Sequence, residues 1–118
     1  MSKIIKVKNN INKLIIDGVK PEQLENVEEL KNIYDARNSF YKKAYVGQYT
    51  FTGGIVNTTC KYLKSYNTIV ACLFQNQLRI YGYYSQTTAR HIREFAKQNG
   101  FNGVITAQDM KNGCVFSL

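Results

Sequence analysis

The fold is decided by the stretch NTIVACLFQNQLRIYGYYSQTTARHIREFAKQNGF, residues 67–101, because the spacing of its apolar residues changes partway through. NTIVACLF and QLRIYGYY alternate with a period of about two, which is typical of β-strands joined by a short loop at residues 75–77. Hydroxyl residues then provide helix caps, and Asn99-Gly100 is a typical helix end. We therefore predict a hairpin followed by a helix over about residues 87–98.

The predicted helix has two distinct faces when its residues are placed about 100° apart. An outward face carries the cations Arg90, Arg93 and Lys97, and Glu94 is close enough to pair with Arg90 across one turn. The opposite, apolar face is expected to pack on the sheet and consists of Ala89, Ile92, Phe95 and Ala96.

Two more strands precede this hairpin, AYVGQYTF at residues 44–51 and IVNTTCKYL at residues 55–63. The connections are Gly53-Gly54, residues 64–66 and residues 75–77, and they are too short for anything but antiparallel neighbours. We predict a four-stranded antiparallel meander. A three-residue last loop would pair Leu73 with Arg79 and place Arg79, Tyr81 and Tyr83 on one sheet face.

The segment before the strands has the spacing of an amphipathic helix. Pro21 suits a first helical turn, and apolar residues recur at intervals of three, four and seven up to Tyr41. We predict a helix from about Pro21 to Lys42, with Arg37 inside its apolar stripe. Arg37 either stacks on neighbouring tyrosines or points into an anion-binding groove. Residues 3–18 fit a strand or a short helix.

These elements predict an α+β fold: an N-terminal helix, a four-stranded antiparallel meander and a second helix packed on one sheet face. The 118 residues are the length of a single domain, 1–118. We expect a cytoplasmic protein, because no apolar run is long enough to span a membrane and the first residues do not resemble a signal peptide. Cys60, Cys72 and Cys114 match neither a disulfide framework nor a metal site, and two are expected to be buried in strands.

The formal net charge of +8 is unevenly distributed along the chain. Residues 1–20 hold five lysines and one acid, residues 21–35 hold five acids and one lysine, and residues 37–118 hold ten cations and two acids. A field of this kind favours polyanionic partners, either nucleic acid or an acidic protein face. The alternative is a lysine-rich composition without functional meaning.

We predict a partner- or nucleic-acid-binding surface where the last strand meets the second helix. Hydroxyls at a helix N-terminus can hold a phosphate, and the cationic helix face lies beside them. The alternative is a solvated helix face. His91 borders the apolar stripe and is interpreted as a packed edge residue. The predicted site residues are Arg79, Tyr81, Tyr83, Ser85, Thr87, Thr88, Arg90, Arg93, Lys97, Lys42 and Lys43.

Two resemblances bear on function. The order helix, antiparallel strands, helix resembles the topology of a double-stranded RNA-binding domain, although the lysine-rich run of that domain is replaced by SQTTARHIREF. The blocks YDARNSFYKKAYV, LKSYNTIVACL and YGYYSQTTARHIREFAKQNGF are similar to a family of small uncharacterised proteins of phages, plasmids and other mobile elements of Gram-positive bacteria. This similarity covers about residues 34–101 and leaves 1–33 and 102–118 as variable extensions.

The second resemblance implies a context in which small proteins bind DNA or block host defences such as CRISPR nucleases. No motif for an enzyme, a cofactor or a metal is found in the sequence, and burial of the cysteines in strands would raise their pKa and suppress their reactivity. We therefore expect a non-enzymatic protein that binds nucleic acid or a host nucleoprotein or nuclease complex, in the manner of anti-CRISPR proteins. The alternative is a basic DNA- or RNA-binding regulator with no protein target.

Overall fold

The computed structural model describes residues 5–7, 18–35, 42–52 and 57–117, with backbone only for residues 5–7. Within these residues, seven strands form one sheet in the order β1-β7-β6-β5-β4-β3-β2, and every neighbouring pair is antiparallel. The strands are β1 Ile5–Val7, β2 Glu25–Glu29, β3 Ala44–Phe51, β4 Thr58–Ser65, β5 Thr68–Phe74, β6 Gln77–Ile80 and β7 Cys114–Ser117. The helices are α1 Gln86–Gln98 and the short α2 Ala107–Lys111, and a single 3-10 turn forms at Pro21–Gln23.

The sheet is buried on both faces. The face that packs against α1, called the helix face, holds the main core, which includes Leu63, Leu78, Ile80 and Phe116. The opposite face, called the far face, holds a smaller cluster around Tyr62, onto which the segment containing Val19 and Leu24 packs. The described helices include none that is long and apolar enough to cross a membrane.

The predicted fold is correct only at the level of the α+β class, and its N-terminal helix is wrong. Residues 21–23 form one 3-10 turn, residues 25–29 form strand β2, and residues 36–41 lie outside the described residues together with Arg37. Pairing with β3 outweighs the helical spacing of this segment, because the edge of β3 offers backbone groups that need partners. Among the described residues no helix precedes the sheet, so the order of elements of a double-stranded RNA-binding domain is not observed there.

Glycine on β3 is what allows the N-terminal segment to approach. A Cβ atom at Gly47 would lie 2.9 Å from the Cβ of Leu24 and 3.0 Å from a methyl carbon of Val27. Leu24 and Val27 therefore pack directly on the β3 backbone at the far face. Val27 and Leu30, whose spacing suggested one helical stripe, instead serve different parts of the sheet, since Leu30 belongs to the main core.

The predicted four-stranded meander is part of a larger sheet, and its register is different. The last loop is a two-residue turn at Gln75-Asn76, with Gln75 in the left-handed region at φ 54°. Leu73 therefore pairs with Leu78, and Arg79 pairs with Cys72. Because strand side chains alternate, this one-residue slip places Arg79 on the far face with Cys72, whereas Leu73 lies on the helix face with Leu78. The predicted turn at Gly53-Gly54 lies outside the described residues.

The C-terminal residues complete the sheet, which the sequence did not indicate. β7 is only four residues long and inserts between β1 and β6. Helix α2 precedes it and begins with a capping box in which Thr106 and Asp109 each bond the other's backbone amide. Both elements add apolar side chains to the main core, including Met110, Cys114 and Phe116.

Candidate binding surface on helix α1

Helix α1 forms where its local signals place it. The Ser85 hydroxyl accepts a hydrogen bond from the Thr88 amide, and Gly100 after the helix adopts φ 91°, a conformation that glycine takes without strain. The inward positions are buried, as the periodicity predicts. They are Ala89, Ile92, Phe95 and Ala96. The helix is therefore fixed in rotation, with its outward residues in two adjacent rows.

The first row, called the clamp row, consists of Arg90, Glu94 and Gln98 and holds the segment 31–35. Arg90 makes a two-pronged ion pair with Asp35, in which the Nε–Oδ2 and Nη2–Oδ1 distances are both 3.0 Å. These hydrogen bonds raise the pKa of Arg90 above its ordinary value. The charge of Arg90 is thus already matched within the chain, so Arg90 contributes little net field to a partner.

Glu94 is only 2% exposed, and its carboxylate serves the same segment. It accepts hydrogen bonds from the backbone amides of Tyr34 at 3.0 Å and Asp35 at 2.8 Å, and from the Gln98 Nε2 at 2.6 Å. Gln98 also donates to the carbonyl of Lys31 at 2.6 Å. These contacts replace the predicted Glu94–Arg90 pairing. The side chains of Arg90 and Glu94 both attach residues 34–35 of the β2–β3 connection to the helix.

The second row, called the pocket row, consists of Arg93 and Lys97. Arg93 donates from Nε to the carbonyl of Ile105 at 2.9 Å, and Lys97 is exposed. Both border a cavity of about 270 Å³ whose remaining wall includes Phe101, Gly103 and Val104. Among the described residues that line this cavity, none is acidic. Two cations therefore converge on one small recess, and no carboxylate in its wall offsets their charge.

At the N-terminus of α1, a side chain of the protein itself caps one backbone amide. Ser85 takes the Thr88 amide, and the buried Thr88 hydroxyl lies 2.8 Å from the Ser65 hydroxyl. Thr87 is half-buried. Of the three hydroxyl residues predicted as a phosphate site, Ser85 and Thr88 thus have structural contacts in this structure.

The sheet residues of the predicted site are brought to different places. Arg79 is 7% exposed and lies at the register position opposite Cys72. Tyr81 packs on the far-face cluster, whereas Tyr83 packs on the main core with the Lys111 ammonium 5.7 Å from its ring centre. The sequence grouped them because it placed them on one strand face, but β6 ends at Ile80.

Lys42 and Lys43 lie at the start of β3, where the β2–β3 connection returns to the sheet. The Lys42 amide donates to the Glu29 carboxylate at 2.9 Å, and the Lys43 carbonyl accepts from the Tyr66 amide at 2.6 Å. The Lys42 side chain is exposed and that of Lys43 is half-buried. Neither of them lines the pocket-row cavity.

His91 lies deeper than the sequence suggests. It is fully buried, and its Nδ1 lies 2.9 Å from the Ser65 hydroxyl, which also contacts Thr88. Ser65 itself is 2% exposed, so a solvent-borne substrate has no access to this serine–histidine pair. The three side chains form a polar contact that fixes α1 to β4.

The cysteines are buried, as predicted. Burial is the main cause that raises the pKa of the Cys60 thiol, in line with the low reactivity expected of it. Neighbouring Tyr62 also has a raised pKa, again chiefly because of burial. These groups belong to the far-face cluster and not to the surface of α1.

Sequence reasoning missed the clamp-row partner Asp35 and the cavity formed by residues 101–105. The sequence did contain one indication that the clamp row has a structural partner. Glu94 is the only acid between Arg37 and Asp109, and a lone acid on a cationic helix indicates a specific structural partner. The cavity depends on how residues 102–105 fold back on α1. The sequence of this segment has no periodic pattern from which its path could be predicted.

The comparisons with known proteins identify a family but not an activity. No curated protein and no solved structure matches the chain. The model of DUF8033, a family of unknown function, matches residues 28–112, a wider span than the blocks at 34–101. This span runs from the end of β2 to the start of the turn before β7 and contains the whole of α1. Because the match covers most of the chain, the protein belongs to the DUF8033 family.

Proposed function

We propose that this protein is a non-enzymatic binding protein that engages nucleic acid, or a complex that handles nucleic acid, through the pocket row of α1. The observation that carries the proposal is the convergence of Arg93 and Lys97 on a cavity of about 270 Å³ without an acid in its described lining. A phosphate fits such a recess, because a guanidinium fixed by one hydrogen bond still offers donors to an anion. The net charge of +8 adds long-range attraction to any polyanion.

A finer form of the proposal concerns biological context. Residues 34–101 are similar to small proteins of phages, plasmids and other mobile elements, and this supports an accessory protein that inhibits a bacterial defence complex in the cytoplasm of its host. A protein-directed inhibitor and a plain DNA- or RNA-binding regulator would both use a cationic surface. They differ in whether nucleic acid alone is enough for binding.

Binding to labelled duplex and single-stranded DNA and RNA, measured by fluorescence anisotropy over a range of salt, tests the proposal. We expect affinity to fall linearly with salt on a double-logarithmic plot, with a slope of about −0.9 for each duplex phosphate contacted. Arg93→Glu with Lys97→Glu should abolish binding while leaving the fold intact, since Lys97 is exposed and half-buried Arg93 loses one part-buried hydrogen bond, which contributes about 1 kcal/mol.

The matched control is Lys20→Glu with Lys64→Glu, which changes the net charge equally. Lys20 is exposed beside Val19, and Lys64 lies over the Tyr45 ring, so both belong to the far-face side of the sheet. Equal loss of binding in both double variants would show that net charge matters and the pocket row does not. Retained binding in a folded Arg93→Glu, Lys97→Glu protein would refute the site.

A pull-down from bacterial lysate with and without nuclease separates the two forms of the proposal. A partner that is lost after nuclease treatment indicates recognition of nucleic acid. A partner that survives it, together with no binding to purified DNA or RNA, indicates a protein target.

A further inference from the structure

The two edges of the sheet carry opposite charge. At one edge, all five residues of β2 are exposed and three of them are glutamates, Glu25, Glu28 and Glu29. At the other edge, β1 has the sequence IKV and lies in the lysine-rich start of the chain, SKIIKVKNN. The charge segregation along the sequence therefore becomes a separation across the width of the folded sheet.

The direction of the two edges is also fixed. Because all six strand pairings are antiparallel and the sheet has seven strands among the described residues, β1 and β2 run in the same direction. Each has one described strand neighbour, β7 or β3, and its outer side presents backbone amides and carbonyls that can pair with another strand.

The residue types on the two edges are complementary, with opposite charges at register positions opposite helix-face residues and apolar residues at the intervening positions. Lys6 is in register with Phe116, a residue of the helix-face core, and Glu28 is in register with Val46, which packs against the same core. Lys6 and Glu28 thus occupy register positions opposite residues of the helix face. The intervening residue types are apolar, since Ile5 and Val7 flank Lys6 and the 42% exposed Val27 packs over Gly47 at the far face.

We propose that copies of this chain associate head to tail, with β1 of one copy adding in parallel to the outer edge of β2 in the next. Lysine at β1 would then meet the glutamates of β2, and apolar residues would meet Val27. Pairing of like edges is disfavoured, because β2 with β2 brings glutamates together and β1 with β1 brings lysines together. The partner that the β2 edge fits is therefore a second copy of this chain.

The geometry limits the strength of this contact. β1 has only three residues, the β2–β3 register shifts between Glu25 and Glu28, and parallel pairing is slightly weaker than antiparallel pairing. We expect a dissociation constant of about 0.1 mM. A groove of about 500 Å³ opens beside β2 on the helix face, with Glu28, Leu30 and Val46 in its lining, and leaves room for side chains of the added strand.

Head-to-tail association keeps α1 on the same side of every copy, because the helix face continues from one sheet to the next. This consequence rests on the proposed function: successive pocket rows would meet one long polyanion, and binding would be cooperative along it. Association itself does not require nucleic acid, so the two proposals fail separately.

Sedimentation velocity of the full chain, from about 10 µM to about 1 mM, tests the association in the absence of nucleic acid. The wild-type weight-average mass should rise with concentration at about 0.01 M salt and return to that of a monomer at about 1 M salt, where screening shortens the Debye length to about 3 Å. A concentration-independent monomer at low salt would overturn the proposal.

A charge exchange identifies the edges. Glu25→Lys with Glu28→Lys makes both edges basic, and Lys6→Glu makes both edges acidic, so each variant alone should associate at least tenfold more weakly than wild type. An equimolar mixture of the two should regain wild-type association, because every junction again joins opposite charges. Glu22→Lys, an exposed change outside β2, is the matched control and should associate normally.

Each variant is first shown to unfold at the wild-type denaturant midpoint, so that a loss of association reports on the interface. Normal association of either edge variant alone, or a mixture that stays monomeric, contradicts the proposed junction. Cooperative binding to long DNA that persists in the edge variants would leave the pocket row intact and refute only the junction.

Discussion

The two rows on the outward side of α1 each contain an arginine, but the surroundings of these arginines differ. In the clamp row, Arg90 meets Asp35, and Glu94 takes backbone amides from the same segment. In the pocket row, Arg93 donates to the backbone carbonyl of Ile105, no described residue that lines the cavity is acidic, and Lys97 is exposed. The difference shows that the role of a helix cation is decided by the loop that folds back on it. A carboxylate makes the cation structural, whereas a carbonyl orients it and leaves its charge unbalanced.

The largest expected effect is the loss of the clamp at Glu94. Glu94→Ala removes a buried carboxylate that accepts part-buried hydrogen bonds from two backbone amides, so unfolding in urea should show a loss of about 3 kcal/mol. Glu94→Gln keeps one acceptor oxygen and should lose less. A change below about 0.5 kcal/mol in Glu94→Ala would show that water replaces the carboxylate and that the clamp is not structural.

The ion pair between Arg90 and Asp35 should have an intermediate effect. Both side chains are about one-fifth exposed, so screening by water limits their coupling to about 1 kcal/mol even with two hydrogen bonds. A double-mutant cycle of Arg90→Gln and Asp35→Asn measures this coupling directly. The same variants should bind nucleic acid as wild type does at equal folded fraction, and a strong loss of binding would move Arg90 into the site.

The contrast between the two rows also shows which features of the helix could be predicted from the sequence and which could not. Helix α1 was predictable because its signals are local: Ser85 before it, Gly100 after it and an apolar residue every three or four positions between them. The partner of Arg90 lies 55 residues away in the chain, and no local pattern could assign it. The contacts that separate a structural row from a candidate site were therefore not available to sequence reasoning.

The helix predicted for the residues of strand β2 was wrong for a related reason. Its residues have helical spacing and acidic caps, but the state of the segment is decided by pairing with β3 and by the space that Gly47 leaves. Likewise, Arg79 was paired with Leu73 instead of Cys72 because a loop of two residues, not three, joins β5 to β6. A one-residue error in the length of a turn reverses the face of every following side chain relative to the partner strand.

The smallest expected effect on stability is at Arg93. Substitution of this residue tests whether the pocket row binds phosphate or is structural like the clamp row. Arg93→Gln should lower stability by about 0.5 kcal/mol, since one part-buried hydrogen bond to Ile105 is lost. If the guanidinium contacts a phosphate, the salt slope of duplex binding should decrease by about one contact. Arg93→Lys retains the charge, so it should keep the slope, but it lacks the planar set of donors and should bind more weakly. An unchanged slope in Arg93→Gln would mean that the pocket row holds no phosphate, and it would make Arg93 a structural residue like Arg90.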